Sequence, residues 1–146
     1  MKYLSQRDPL WASRRLGASN LTVGRFGCTT TCISMILDYF KQYRSPLELA
    51  SNANNYTSDG LVLWKNITSL FVWRDYIENN AKISQYLKDK DKAVILQVNN
   101  KQHWIVALRK SLIGNDYLCL DPWDGKKCWV KKKYHNITGA AYFMKK

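Results

Sequence analysis

Two residues of this chain, Cys28 and His103, have the types that could do covalent chemistry together. Cys28 follows Gly27 and opens a segment in which Ile33, Ile36, Leu37 and Phe40 recur at three-and-four spacing, which places it at the start of a helix. Free N–H groups and the helix dipole stabilise an anion there, and the thiolate is the nucleophilic form of a cysteine. Gly27 would let the backbone fold closely behind the sulfur. The other reading of Cys28 is a small, buried apolar residue. His103 opens an apolar run directly after the polar turn Asn99-Asn100-Lys101-Gln102, so its imidazole stands at a strand end; an ordinary half-exposed histidine is the alternative. Asp121 ends the next strand, eighteen residues on (121 − 103). A hairpin turning near residue 112 would set the two side chains on one face, and a slip of two residues would leave them diagonal neighbours. A carboxylate there can accept the Nδ1 proton of His103 and fix its tautomer. Asp124, in the following turn Pro122-Trp123-Asp124-Gly125, is the rival orienter. His135 lies in a lysine-rich stretch without an acidic neighbour and reads as a surface residue.

The remaining cysteines are judged singly. Cys32 lies one helical turn after Cys28, and Cys119 and Cys128 are nine residues apart (128 − 119), which is not the short knuckle of a zinc site. No metal and no cofactor are expected. The first nine residues lack the apolar region of a signal peptide, and no stretch has the length of a membrane span. The expectation is a soluble protein, cytoplasmic when made, with reduced thiols, that would reach a cell wall only by another route.

The elements that must position these residues follow from pattern. Residues 1–27 read as an extended arm with short turns, and Gly24 and Gly27 bracket a tight one. The first helix runs from about Cys28 to about Tyr43. Ser45, Pro46 and Glu48 give a second helix its N-cap, first position and capping-box residue. Residues 60–87 read as one or two further short helices. The period then becomes two: strands are expected over Ala93–Val98, His103–Leu108, Tyr117–Leu120, Cys128–Val130 and Ala140–Phe143. Helices followed by an antiparallel sheet make an α+β chain, read as a single domain over residues 1–146.

Composition adds a bias in charge. The 23 Lys and Arg against 11 Asp and Glu give a formal net charge of +12, which favours anionic partners: nucleic acid, an acidic wall polymer or a membrane surface. The lysines at 126–127, 131–133 and 145–146 read first as a solvated face. A non-enzymatic basic module that holds nucleic acid on Lys and Trp side chains is therefore the alternative function.

Gly27-Cys28 opening a helix, His103-Trp104 opening a strand, Tyr117-Leu118-Cys119-Leu120-Asp121-Pro122-Trp123 ending the next, and the arm Gln6-Arg7-Asp8-Pro9-Leu10-Trp11 together resemble papain-like cysteine peptidases. The closest resemblance is to the bacteriocin-leader-processing, double-glycine kind and its transporter-free relatives in bacteria and phages. The resemblance implies a papain-like fold with the helices packed on the sheet, and a thiol protease. Cys28 would be the nucleophile, His103 the base and acid, Asp121 the orienter and Gln6 a side-chain donor to the oxyanion. The substrate would be a polypeptide or the stem peptides of peptidoglycan, as for a lysin. Gln6 stands further from the cysteine than in many such enzymes (28 − 6 = 22), and the run Thr29-Thr30-Thr31 replaces the more usual small residues.

Overall fold

The computed structural model describes residues 1–146. It mixes helices with one antiparallel sheet, as an α+β chain does, and divides into two compact units: Met1–Ser69 with Pro122–Gly125, and Leu70–Asp121 with Lys126–Lys146. No helix is long and apolar enough to cross a membrane.

The first unit carries α1 (Val23–Phe26), α2 (Cys28–Tyr39), α3 (Pro46–Ser51), a 3-10 turn at Ala53–Asn55 and α4 (Trp64–Ile67). The α2 helix is buried over most of its length, through Cys32, Ile33, Met35, Ile36 and Leu37. It ends at Tyr39, four residues before the expected end. Lys41 adopts a left-handed conformation, and the N–H groups of Lys41 and Gln42 return to the Asp38 and Leu37 carbonyls. That is the closing pattern a glycine usually makes, here made by a lysine, so sequence gave no stop signal. The α3 start is as expected: the Ser45 hydroxyl accepts the Glu48 N–H at 3.1 Å, with Pro46 in the first turn.

The second unit holds β1 (Phe71–Asp75), α5 (Asn80–Leu87), β2 (Lys92–Val98), β3 (His103–Lys110), β4 (Tyr117–Asp121), β5 (Lys126–Trp129), α6 (Val130–Tyr134) and β6 (Gly139–Met144). Its six strands lie in the order β1-β6-β2-β3-β4-β5, every neighbouring pair antiparallel. Central β2 is buried on both faces from Ala93 on, in keeping with its unbroken apolar run. On one face Val94, Leu96, Val98, Ile105, Tyr117, Cys119 and Tyr142 pack with Ile83 of α5 and Val130 of α6. One expectation needs correction: the segment 60–87 is not helical throughout, because edge strand β1 stands between α4 and α5. The lysines at 126–127, 132–133 and 145–146 are exposed as expected, with Lys131–Lys133 in the short helix α6.

Candidate functional site

In the first unit, Cys28 is the first residue of α2, with 9% of its surface exposed. Gly27 is the N-cap and brings no side chain to the first-turn N–H groups. Its place is fixed by crowding: a Cβ on Gly27 would sit 2.5 Å from the Val23 carbonyl oxygen and 2.7 Å from the Val23 Cα. Only a residue without a Cβ lets α1 run straight into α2. Thr30 and Thr31 bond elsewhere than to those N–H groups. Thr31 Oγ1 donates to the Gly27 carbonyl at 2.8 Å, and Thr30 shares a 2.9 Å hydrogen bond with the Tyr56 hydroxyl. Burial pushes the Tyr56 phenol up to about 12, so that partner stays neutral.

Gln6 is buried, at 2% exposure. Its Nε2 donates to the Gly24 carbonyl at 3.2 Å, which fixes the amide orientation, because a carbonyl oxygen accepts only from a donor. Gly24 lies in α1, four residues before Cys28 (28 − 24). The rest of the arm clamps the turn at residues 122–125. The Gln6 N–H donates to the Pro122 carbonyl at 2.6 Å, and Ser5 Oγ and Arg7 Nε donate to the Trp123 carbonyl at 3.0 and 2.8 Å. The Arg7 guanidinium stacks on the Trp123 ring at 4.3 Å. Gly125 has φ of +73°, and a Cβ there would crowd the Leu4 and Ser5 backbone. Two sequence motifs whose contacts join residues 116 to 118 positions apart thus form one local structure, with Asp124 in the turn.

In the second unit, His103 opens β3 after the turn Asn99-Asn100-Lys101, all three residues left-handed. Two asparagines tolerate this conformation readily; Lys101 is the strained member. The β3–β4 register pairs Val106 with Leu120, so its continuation sets Asp121 opposite residue 105 (226 − 121). His103 and Asp121 are therefore diagonal neighbours on one face, the slipped case rather than the direct pair. Imidazole Nε2 lies 2.7 Å from Asp121 Oδ1. This corrects the expected atom: the carboxylate is met by Nε2, not Nδ1, since the diagonal offset turns the far nitrogen toward β4.

Asp121 is fully buried, and its second oxygen is also occupied. Lys133 Nζ donates to Oδ2 at 2.6 Å, and the Tyr134 hydroxyl donates to the same oxygen. The Tyr134 ring lies 5.6 Å from the imidazole, centroid to centroid. Sequence reasoning missed both residues. The available signal was an aromatic ending a lysine run, four residues after Val130 and hence on the same helix face. The α6 turn that presents them is held at its start by Asp116, whose carboxylate accepts the Lys131 and Lys132 N–H groups at 2.8 and 3.2 Å. Lys131 also pairs with Glu78 at 3.0 Å.

None of the four cysteines is joined in a disulfide. Cys119 is buried in the sheet core opposite Cys128, and burial pushes its thiol well up, which suits packing and not nucleophilic attack. Cys32 is fully buried in α2, and His135 is exposed at the end of α6. No group of three or more His, Cys, Asp or Glu side chains is arranged to hold a metal ion. No protein-family model matches the chain, and no curated protein matches it.

Proposed function

We propose that the chain is a cysteine peptidase of the papain-like class, with Cys28 as nucleophile, His103 as general base and acid, Asp121 as orienter and Gln6 as an oxyanion donor. The observation that carries this reading is the His103–Asp121 pair, a strand-end imidazole bonded at 2.7 Å to a fully buried carboxylate. A thiol at the first position of a twelve-residue helix with an uncapped glycine start supports it from the other unit.

With Nε2 committed to Asp121, proton exchange falls to Nδ1. The imidazole takes the thiol proton, and the thiolate attacks the amide carbonyl carbon while the carbonyl electron pair moves to oxygen. The Cys28 N–H and the second Nε2–H of Gln6 stabilise that oxyanion; donors of this kind contribute about 2.7–4 kcal/mol each. Collapse breaks the C–N bond, the imidazolium protonates the leaving amine, and a thioester remains. Water then gives a proton to His103 and attacks the thioester, releasing the acid and the thiol. Asp121 keeps the ring in one orientation throughout. The substrate is the amide of a polypeptide or of a peptidoglycan stem peptide, and the +12 charge favours an anionic wall.

The same charge supports a second reading, a module that holds nucleic acid without catalysis. Purified sacculi and an unfolded polypeptide are the test substrates. The peptidase reading expects hydrolysis by the wild type and its loss, by about 10³-fold or more, in a folded Cys28→Ala protein. Full hydrolysis by Cys28→Ala overturns it. Inert thiols together with salt-steep nucleic-acid binding favour the second reading.

A further inference from the structure

We infer that Lys133 and Tyr134 are positioning residues that share the Asp121 carboxylate with His103 and hold the imidazole's proton affinity down. Asp121 Oδ1 meets His103 Nε2, while Oδ2 takes both the Lys133 ammonium at 2.6 Å and the Tyr134 hydroxyl. A buried carboxylate facing an imidazole alone would bind its cationic form strongly and raise its proton affinity, leaving less of the ring in the neutral form that can accept a proton. The Lys133 charge cancels that of Asp121, so the imidazolium faces a nearly neutral pair instead of a bare anion. Tyr134 draws charge toward Oδ2 in the same direction, with less effect because it is neutral.

Titratable groups reach Asp121 from four elements of its unit. Strand β3 brings His103, and α6 brings Lys133 and Tyr134. Strand β5 brings Lys126, exposed and directly opposite Asp121, together with Cys128, and β4 itself brings Cys119. Of these, Lys133 places its ammonium 2.6 Å from Asp121 Oδ2.

The consequence for catalysis rests on the peptidase reading, but the effect on the imidazole does not, and the experiment separates them. The chain has two histidines, so the His103 ring is assigned in NMR spectra by comparison with His135→Gln. Titration in a Cys28→Ser background keeps the thiol from overlapping. Lys133→Met should raise the His103 pKa by about one unit or more, Tyr134→Phe should raise it less, and Lys133→Arg should restore the wild-type value. An unmoved or lowered pKa in Lys133→Met overturns the inference. Should Lys133→Met not fold, the sign of the Tyr134→Phe shift decides in the same way. In the active protein the acid limb of kcat/KM, where the base becomes protonated, should move up with the imidazole. Absence of Cys28-dependent hydrolysis would instead strike the peptidase reading and leave the imidazole titration as it stands.

Discussion

Asp121 carries two oxygens with different duties, and a substitution there separates them. An asparagine can still accept the Nε2 proton of His103 through its side-chain oxygen. Its NH2 group would then face Lys133 Nζ, which has only protons to offer, so that contact becomes a donor against a donor. Alanine removes both functions and leaves the Lys133 ammonium without its anion. We therefore expect kcat/KM to fall in the order wild type, Asp121→Asn, Asp121→Ala, with the last down by about 10²–10⁴-fold. Asp124→Ala, in the turn clamped by the arm, should stay near wild type. The reverse result, a damaging Asp124→Ala and a neutral Asp121→Ala, would mean that the orienting carboxylate is the wrong one. The His103–Asp121 pair was legible in sequence because any even pairing sum puts both on one sheet face; the hairpin begins with a sum of 227 near its turn and reaches 226 only through a bulge between Ala107 and Arg109, which sequence does not announce. The ring nitrogen was not, since it depends on the two-residue offset. Lys133 and Tyr134 were hidden by a lysine run whose simplest reading is solvent.

The α1–α2 junction depends on a single missing methyl group. At Gly27 the crowding atoms belong to the Val23 backbone and to its buried Cγ1, so none of them can swing aside as a long side chain would. Gly27→Ala should cost about 1–3 kcal/mol of stability, read as a lowered midpoint in urea or heat. An unchanged midpoint would show that the helices part without cost and that the glycine is not what seats Cys28. Among the elements, α2, α3 and strands β2 to β4 were readable because each carries a strong signal: a 3.6 period, a capped proline start or an unbroken apolar run. Strand β1 was not. Its Phe71 and Trp73 are exposed at the sheet edge, so the segment lacks the buried alternation by which a strand is recognised. The α2 end was missed because Lys41 performs the turn of a glycine.

At the scale of the whole molecule, the chain reads as mixed α+β from sequence, but its division into two units does not. The first unit is completed by residues 122–125, joined to the arm through Pro122, Trp123 and Gly125, and no composition shift or linker marks such a return. Cys28 belongs to the first unit and His103 with Asp121 to the second. The central claim of the peptidase proposal, that Cys28 is a nucleophile activated by His103, is tested most directly by thiol reactivity at acidic pH. At pH 6 an ordinary thiol, with a pKa of about 8.5, is almost wholly protonated and reacts slowly with iodoacetamide. Peptide mapping after brief alkylation gives the rate at each cysteine, with the denatured protein as reference. The proposal predicts that native Cys28 is labelled at least about tenfold faster than in the denatured chain, and that His103→Ala removes the advantage. A Cys28 rate no faster than the denatured reference, or one that is the same with and without His103, would contradict it.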